Sequence, residues 1–285
     1  MSFKTHLKTQ ITRIDRALER VVPRSSKHFG RIHEAMRYSV FPGGKRFRPV
    51  LVLEACRLMG GNPEQALPAA CAVELIHSYS LIHDDLPCMD NDIERRGKPT
   101  CHIRFGEDIA LLAGDGLLTL AFEILAKSSR RNTSGQDAPR RLEAVRLLAA
   151  ASGTFGMIGG QVLDIQSQTQ EPDIAAIEFI NVHKTGALIA VCVEMGCVFG
   201  KNSPRHRRLL SHFGHTVGLL FQIVDDIIDN QGVVRVMGVK QATVRACNLL
   251  VKGKDCLKPF GDKGLFLSQL TDYIFQQIKP PISRS

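Results

Sequence analysis

Hydrophobic residues recur every three or four positions along most of the chain, which is the spacing of one face of an α-helix. The clearest stretch carries small and aliphatic residues at Ile109, Leu112, Ala113, Leu117, Leu120 and Ala121. Strict alternation of apolar and polar residues, the pattern of a half-buried strand, is scarce. The periodicity therefore predicts an all-α fold.

Helix-breaking residues divide this pattern into segments. Clusters of Gly, Pro, Asn, Asp and Ser predict helix-to-helix loops at residues 23–27, 60–63, 128–139, 170–173 and 200–204. Asp173 and either Asn202 or Ser203 are predicted to cap the helices that follow, because their side chains accept hydrogen bonds from free N–H groups. The chain has 285 residues, 44% of them hydrophobic, and can bury one large core without a second domain. We therefore expect residues 1–285 to form a single domain.

A strongly basic net charge can be a sign of nucleic-acid binding. The net charge is +9, but the basic residues are dispersed in the sequence, and the chain has no Trp and three Tyr. No recognised nucleic-acid motif accompanies the charge. We expect no nucleic-acid partner, and a basic balance can equally help to attract diphosphate anions.

Cysteine usage and apolar runs bear on the cellular compartment. The eight cysteines contain no C-x-x-C pair and often lie in apolar contexts, which favours buried free thiols in a reducing cytosol. The N-terminal residues lack the apolar core of a signal peptide. The apolar run at 186–200 is interrupted by Glu194 and is too short to span a bilayer. The expectation is a cytoplasmic protein without stable membrane insertion.

Two aspartate clusters with apolar flanks are the strongest chemical signal. They contain Asp84, Asp85 and Asp90 in one case and Asp225, Asp226 and Asp229 in the other. Three carboxylates within a turn or two repel one another, and a divalent cation is the usual compensation, with Mg²⁺ favoured by oxygen ligands. The two clusters together predict one shared metal site.

The spacing within each cluster predicts its geometry. Asp225 and Asp229 stand at i and i+4, so their carboxylates should project from one helix face. Asp90 follows Asp84 by six positions, which an ideal helix would turn roughly 120° away. Because Pro87 lies between them, we expect a kink in the helix that returns Asp90 to the face of Asp84.

Basic motifs on either side of the first cluster indicate the ligand. Arg95-Arg96-Gly97-Lys98 follows it and Gly43-Gly44-Lys45-Arg46-Phe47-Arg48-Pro49 precedes it. A diphosphate fits this combination, because Mg²⁺ can bind its oxygens on one side while Arg and Lys donate hydrogen bonds on the other. The Gly-x4-Gly-Lys-Ser/Thr spacing of a Walker loop is absent, which disfavours a nucleotide kinase.

Six ordered motifs resemble those of short-chain trans-isoprenyl diphosphate synthases, most closely bacterial farnesyl diphosphate synthase. The remaining motifs are His83 followed by the first cluster, Gly159-Gly160-Gln161 with Asp164, His183-Lys184-Thr185-Gly186 and Phe221-Gln222 leading into the second cluster. The resemblance implies a helical bundle around a central cavity, a homodimer, about three Mg²⁺ ions, and isopentenyl and allylic diphosphates as substrates.

The resemblance also implies roles for individual residues. Metal ligands would be Asp84, Asp90 and Asp225, with Asp85, Asp226 and Asp229 binding directly or through water. Isopentenyl diphosphate would be bound by Lys45, Arg48, His77 and Arg96. The allylic diphosphate would face Arg95, Lys184, Thr185 and Gln222, while Gln161 and Asp164 would line the cavity and steady the cation. Catalysis would depend on Asp84, Asp90, Lys184 and Asp225; His83 is expected to be structural, and for His77 a buried structural imidazole is the alternative.

The resemblance breaks after Asp229. Family members continue with a lysine-bearing loop, whereas here residues 230–240 read NQGVVRVMGVK, and about two dozen residues are missing against the family pattern. Lys240 is a candidate for that lysine by proximity only, and Arg235 is another. We expect a segment without regular structure here and weakened binding of the allylic diphosphate.

Three functions remain open on the sequence. The first is synthesis of farnesyl diphosphate, with Tyr79 and Ser80, one turn before Asp84, closing the space for the growing chain. The second is the same chemistry ending at geranylgeranyl diphosphate. The third is a catalytically weak paralogue that acts as a binding or heterodimer subunit. A terpene cyclase is disfavoured, because an enzyme with one diphosphate substrate has no use for Lys45, Arg48 and Arg96.

Overall fold

The computed structural model describes residues 2–41, 44–127, 137–167, 173–201 and 203–278. In chain order the helices are α1 Phe3–Val21, α2 Gly30–Val40, α3 Phe47–Leu58, α4 Pro63–Asp84, α5 Cys101–Phe105, α6 Glu107–Ala126, α7 Asp137–Ser152, α8 Met157–Ser167, α9 Ile174–Ile180, α10 Ala187–Val198, α11 Pro204–Asp229, α12 Val233–Leu257 and α13 Leu265–Phe275. A π-helical segment, Asn181–Gly186, joins α9 to α10, and a 3₁₀ segment, Lys258–Gly264, precedes α13. The prediction of an all-α fold is confirmed.

The only strands in the described part of the chain are two short ones. Strands β1 (Glu94–Arg95) and β2 (Lys98–Pro99) pair antiparallel, with Arg95 opposite Lys98. They form a hairpin between α4 and α5 and do not build a sheet that carries the core.

The chain separates into two units by its internal contacts. The first comprises Met1–Val50 and Glu64–Val145, and the second comprises Leu51–Pro63 and Arg146–Ser285. The single domain and its central cavity stay predictions, and each unit is described by itself below.

In the first unit, α4 is the most buried element. Twelve of its residues, from Ala66 to Ile82, are buried, so both its small and its large side chains lie in the core. Helix α1 buries a single stripe formed by Gln10, Ile14 and Leu18 and exposes the rest of its surface. This four-residue spacing is the expected pattern of a helix that packs on one side only.

In the second unit, α10 has the corresponding central position. Ten of its twelve residues are buried, and it packs against α11, whose buried residues run from Leu210 to Asp226. Helix α11 is long enough to carry this packed stretch and the second aspartate cluster at its C-terminal end.

The predicted helix boundaries are partly confirmed. Asp173 caps α9, since its carboxylate accepts hydrogen bonds from the N–H groups of Ala175 and Ala176. Ser203 precedes α11 without a side-chain cap bond, and Asn202 lies outside the described residues. The predicted loop at 128–139 is too long, because α7 already begins at Asp137, where Arg141 binds the Asp137 carboxylate within the first turn; residues 128–136 and 170–172 are not described.

The periodic stretch in α6 forms the predicted helix. Ala113, Leu117, Leu120 and Ala121 are buried, whereas Leu112 is 50% exposed. The buried face is completed instead by Gly114, Ile124 and Leu125.

Within the described ranges, two helical stretches are long and apolar enough to cross a bilayer by length and composition, namely Glu107–Ala126 and Ile174–Val198. The apolar run seen in the sequence covers residues 186–200, whereas the helical stretch begins earlier, at Ile174. The length of this stretch therefore does not exclude a span. About half of each stretch is buried, and core helices of soluble proteins meet the same criterion. The absence of membrane insertion stays a prediction.

All eight cysteines are free thiols, as predicted. Five are buried, but Cys88 and Cys247 are exposed and Cys256 is partly exposed. Burial was therefore predicted correctly for five cysteines and wrongly for Cys88, Cys247 and Cys256.

Candidate active site

The first aspartate cluster lies where α4 ends. The expected kinked helix through Pro87 is wrong, because α4 stops at Asp84 and residues 85–90 form turns. Asp90 donates its backbone N–H to the Asp84 carbonyl at 2.8 Å, and Asn91 adopts a left-handed conformation with φ 54°. A chain reversal, rather than a bend in a continuous helix, therefore brings Asp90 back beside Asp84. Proline cannot donate the next helical hydrogen bond, which favours this ending.

Asp85 points away from solvent and is paired within the protein. Its residue is 3% exposed, and Arg95 Nε donates to its carboxylate at 2.7 Å. Burial raises the pKa of the Asp85 carboxyl, and the Arg95 bond partly opposes this shift. The same guanidinium also contacts Asp92 at 3.0 Å. The structure thus joins a predicted metal ligand to a residue predicted to face the allylic diphosphate, and this ion pair fixes the hairpin to the end of α4.

The hairpin presents Arg96 at its tip. Arg96 and Gly97 form the two-residue loop between β1 and β2, and both have positive φ, 54° and 75°. This matches a type I′ turn, which requires φ above zero at both central positions. The Arg96 guanidinium lies against Gly44, where a Cβ atom would come within 2.9 Å of it. Gly44 therefore leaves room for a cation next to the backbone, while its neighbour Gly43 lies outside the described residues.

Arg48, His77 and Arg96 converge within the first unit, as the resemblance implies. Burial, followed by the charges of Arg48 and Arg96, holds the pKa of His77 well below its usual range. The imidazole is therefore neutral near pH 7 and adds no charge to the two arginines. A neutral ring between cations is suited to donating one hydrogen bond to an anion. Lys45 is exposed at the entry to α3.

Arg46 belongs to the same motif but has a structural function. Its guanidinium is buried and donates to Glu74 at 2.6 Å, to Asp15 at 2.9 Å and to the Val40 carbonyl at 2.8 Å. Burial acts against the charge, but the two carboxylates raise the pKa of Arg46 above its usual value. Every face of this cation is therefore used inside the first unit. Sequence alone could not separate Arg46 from Lys45 and Arg48.

The helix turn before Asp84 carries two rings in edge contact. Tyr79 and His83 have ring centroids 5.6 Å apart. His83 Nε2 lies 3.0 Å from the Leu111 carbonyl and packs on Gly114, so the structural role predicted for it agrees with its contacts. Tyr79 is 5% exposed, and its hydroxyl is buried without a hydrogen-bond partner among the described residues. Burial and the neighbouring Asp84 raise the pKa of Tyr79 to about 12.

The second aspartate cluster lies on the last turns of α11. Asp225 and Asp229 are four residues apart on this helix, which ends at Asp229 and is closed by Asn230 in a left-handed conformation. Asp225 is partly exposed and Asp229 is exposed. The predicted single face for these two carboxylates follows directly from the helical spacing.

Asp226 is directed into the protein instead. It is 5% exposed and accepts hydrogen bonds from Gln222 at 2.9 Å, Asn181 at 3.1 Å and the backbone N–H of Val233 at 3.0 Å. A Cβ atom on Gly232 would lie 2.3 Å from this carboxylate. Asp226 therefore joins the π-helical segment, α11 and the start of α12. Gln222 was predicted to face the allylic diphosphate, but its amide donates a hydrogen bond to the same carboxylate.

Asn181 was missed in the sequence. It is buried in the π-helical segment, and neither its type nor its spacing marks it as a partner of a residue 45 positions later. The one signal in the sequence was its position two residues before His183-Lys184-Thr185. In the structure this position lies in a π-helical segment, and single π-turns are frequent at functional sites.

Asn181→Ala is expected to destabilise the fold. The variant leaves Asp226 with two of its three donors, and a hydrogen bond to a charged group contributes about 1.5–3 kcal/mol. Urea unfolding followed by circular dichroism should show this loss, whereas Val182→Ala, an exposed neighbour, should change the unfolding free energy little. Equal unfolding midpoints for Asn181→Ala and the parent protein would contradict this description of Asp226.

Lys184 projects from the same π-helical segment and binds Asp164 of α8, with 2.5 Å between Nζ and Oδ2. The approach of α8 depends on Gly160, where a Cβ atom would lie 2.2 Å from the backbone nitrogen of Lys184. Gln161 lies next to this contact, and both polar atoms of its amide are buried without a partner among the described residues. Thr185 is partly exposed. The structure thus brings Lys184 and Asp164 together beside the buried amide of Gln161.

The segment after Asp229 is regular rather than irregular, so the expectation of an unstructured stretch is wrong. Helix α12 begins at Val233 immediately after the Asp226 contact, and Gly238, with φ 78° and ψ 157°, interrupts it. Arg235 and Lys240 stand on either side of this break, and both are exposed. No contact described here assigns either of them the function of the missing lysine.

The carboxylates suit Mg²⁺ by their chemistry. Asp84 with Asp90, and Asp225 with Asp229, offer only oxygen donors, which is the preference of this ion. Within the described ranges, no three His, Cys, Asp or Glu side chains are grouped to hold a metal by themselves. Mg²⁺ commonly takes one or two carboxylates and completes its shell with waters and substrate phosphates, so each pair by itself fits such a site.

The described residues define a class of helical protein with an aspartate pair on each of two helix ends and an arginine cluster beside one of them. Comparison with known families agrees with this class. The family model described as polyprenyl synthetase matches residues 30–243, and the chain belongs to this family.

Several relatives of this chain are named as prenyl synthases or prenyl transferases. The chain is 49% identical over 230 residues to the heterodimeric geranylgeranyl pyrophosphate synthase large subunit 1, chloroplastic, of Arabidopsis thaliana, covering 80% of this chain and 61% of the relative. It is 39% identical over 282 residues to a dimethylallyltranstransferase of Fischerella ambigua, covering 92% and 80%. The chain spans about three fifths of the length of the plant relatives it matches.

A solved structure shows the same fold. The apo FPP/GFPP synthase from Zymomonas mobilis superimposes with a TM-score of 0.89 at 40% identity, covering 96% of this chain and 98% of that one. The similarity therefore extends over nearly the whole fold.

Proposed function

We propose that this protein is a Mg²⁺-dependent prenyltransferase that condenses isopentenyl diphosphate with an allylic diphosphate. The observation that carries this proposal is the convergence of Arg48, His77 and Arg96 in the same unit as the first aspartate cluster. Arg46 binds Glu74, and Arg95 binds Asp85 of the first aspartate cluster, so both of these arginines already have carboxylate partners within the protein. An arginine pair beside a candidate metal site suits a reaction with two diphosphate substrates better than a single-diphosphate reaction such as cyclisation.

Different residues of this chain would bind the metal ions and the substrates in such a reaction. Asp84, Asp90, Asp225 and Asp229 would hold the metal ions, and Lys184 would bind the allylic diphosphate directly. Mg²⁺, when bound, would neutralise charge that develops on the leaving diphosphate. The C–O bond of the allylic substrate would then break to give an allylic cation, and the double bond of isopentenyl diphosphate would attack this cation. The released diphosphate would take the proton that the condensed cation loses to restore neutrality. Gln161, with its unbonded amide oxygen, is placed to steady a nearby positive charge.

Arg48, His77 and Arg96 would position isopentenyl diphosphate. Two guanidinium groups can each bind phosphate oxygens in a bidentate manner, and the neutral imidazole adds a donor without adding a third charge. Lys45 is exposed and can approach a bound diphosphate from the solvent side. The Asp85–Arg95 ion pair would keep the hairpin, and so Arg96, in place.

Farnesyl diphosphate is the product we propose, with geranylgeranyl diphosphate as the second candidate. The bulk of Tyr79, one turn before Asp84, favours the shorter product, because a phenol ring there takes up space. The names of several plant relatives favour the longer one. The two candidates share the chemistry and differ only in where elongation stops.

Tyr79→Ala is expected to lengthen the product by one or more five-carbon units. The hydroxyl of Tyr79 makes no hydrogen bond among the described residues, so the change removes volume without removing a polar contact. Thin-layer or liquid chromatography of dephosphorylated products from parent and variant would show the shift. Tyr79→Phe, which keeps the ring and removes only the hydroxyl, is the matched control and should leave the product unchanged. An active Tyr79→Ala enzyme with an unchanged product would show that the ring does not limit chain length.

The proposal is tested by incubating the protein with isopentenyl diphosphate, Mg²⁺ and dimethylallyl, geranyl or farnesyl diphosphate in turn. Mg²⁺-dependent elongation of geranyl but not farnesyl diphosphate supports the C15 product. Elongation of farnesyl diphosphate supports the C20 product. A folded protein that binds diphosphates but elongates none of the three would favour the remaining alternative, a binding or heterodimer subunit.

That alternative has one supporting observation in the comparisons, the relative named as a subunit of a heterodimer. The weakened allylic site also favours it, since the lysine-bearing loop has no secure counterpart here. Loss of one charge-assisted contact costs roughly 1.5–3 kcal/mol, or about one to two decades in affinity. We therefore expect a raised Michaelis constant for the allylic substrate. Independently of this contact, the proposal keeps the homodimer and the cytoplasmic location that the sequence predicts.

A further inference from the structure

A groove of about 640 Å³ runs along the exposed side of α1, next to the start of α4. It lies in the first unit, and no residue of the candidate active site lines it. Its cationic lining residues are Lys8, Arg13, Arg16 and Arg20, and hydroxyl groups come from Thr5, Thr9 and Thr12. Glu64 is the one acidic residue among the lining residues.

The charges of α1 are sorted between its two sides. Its acidic residues are used inside the unit, Asp15 by Arg46 and Glu19 by Arg37. Glu64 of α4 is paired with Arg13 across the groove. Lys8, Arg16 and Arg20 are exposed, and none of the described residues forms an ion pair or hydrogen bond with them. The basic residues, dispersed in the sequence, are thus concentrated on one wall by the helix.

This arrangement is unfavourable for an isolated helix. Arg16 and Arg20 are four residues apart, Arg13 and Arg16 three apart, and like charges at these spacings repel each other along the helix. Nothing on the groove side of the described chain compensates Lys8, Arg16 and Arg20. An external anion would.

The spread of the charges distinguishes between anions. Lys8 and Arg20 are separated by twelve residues, or about 18 Å along the helix axis. One diphosphate could reach only adjacent cations, and a flat bilayer surface cannot follow a concave groove. No aromatic side chain lines the groove, so nucleic-acid bases would find no stacking partner. An acidic peptide can place carboxylates along the whole length of the groove.

We propose that the α1 groove is a docking site for an acidic peptide segment of a partner protein. Lys8, Arg16 and Arg20 pair with its carboxylates, the Arg13–Glu64 ion pair holds the two walls of the groove together, and Ala17 with Leu67 provides a narrow apolar floor for small side chains.

The test is binding of a fluorescein-labelled 15-residue Glu/Ala peptide to the full chain, measured by fluorescence anisotropy at low and moderate salt. The charge-reversal variant is Lys8→Glu/Arg16→Glu/Arg20→Glu, and it should weaken binding at least about tenfold, since opposed charges then face each other. The matched control reverses three exposed cations of the second unit, Arg205→Glu/Arg208→Glu/Lys252→Glu, with the same change in net charge. The control should bind within about threefold of the parent.

Alanine replacement of Lys8, Arg16 and Arg20 is a milder second variant should charge reversal unfold α1, and it should give an intermediate loss. Circular dichroism and prenyl transfer should be unchanged in every folded variant, because the groove contains no active-site residue. Equal weakening by groove and control variants, or no binding by the parent protein, would overturn the proposal. Tighter binding of single-stranded oligouridine or phosphatidylserine vesicles through the same three residues would also overturn the assignment to a peptide.

Discussion

Replacing Asp84 or Asp225 by alanine is expected to lower the turnover number about a hundredfold or more at saturating Mg²⁺, while the protein stays folded. Each variant removes an oxygen ligand from the ion that would stabilise the leaving diphosphate, and losses of transition-state charge stabilisation are of this size. Both side chains are partly exposed and neither lies in the core. Steady-state rates with radiolabelled isopentenyl diphosphate, with circular dichroism on the same samples, would measure the effect.

Two further substitutions make this prediction specific. Asp262→Ala changes an exposed carboxylate away from both clusters and should leave turnover unchanged. Asp226→Ala should mainly lower the free energy of unfolding, since three donors lose their acceptor. Near-parent turnover in a folded Asp84→Ala or Asp225→Ala protein would rule out the metal-ligand assignment of these residues.

The largest loss of stability is expected for Glu74→Ala. The variant leaves the buried Arg46 guanidinium without its closest carboxylate, and breaking a buried ion pair costs about 3–5 kcal/mol. Thermal and urea unfolding should both show the decrease. The control is Glu64→Ala, which breaks the exposed ion pair with Arg13 and should cost at most about 1 kcal/mol. Similar losses in the two variants would mean that burial of Arg46 does not determine the cost.

Helix content and the helical placement of Asp225 and Asp229 could be predicted because both depend on local spacing. A helix with Asp at i and i+4 has one geometric outcome, and the second cluster has it. The first cluster shows the limit of the same argument. A six-residue separation is compatible with a kinked helix or with a helix end, and the choice is made by the Asp90–Asp84 backbone hydrogen bond and the left-handed Asn91, which spacing does not reveal.

Neighbouring residues of one motif differ in burial because their contacts involve residues far away in the sequence. Arg46 is fixed by Glu74 and Asp15, and Asp226 by Asn181 and Val233, while Arg48 and Asp225 beside them keep more of their surface accessible. Motif matching assigns one function to all members of a run. Burial then separates the residues that hold the fold from those that can contact a ligand, and burial depends on contacts that no short window of sequence contains.

The break at Gly238 has a consequence for engineering this chain. A Cβ atom at Gly238 would meet nothing within 4 Å, and the buried residues of α12 lie on either side of it, at Val234 and Ala242. Insertions are tolerated best at exposed sites where the backbone already leaves its regular path. A lysine-bearing loop could therefore be grafted between Met237 and Val239 without displacing packed side chains. Comparing such a chimera with the parent protein would measure directly what the missing loop contributes.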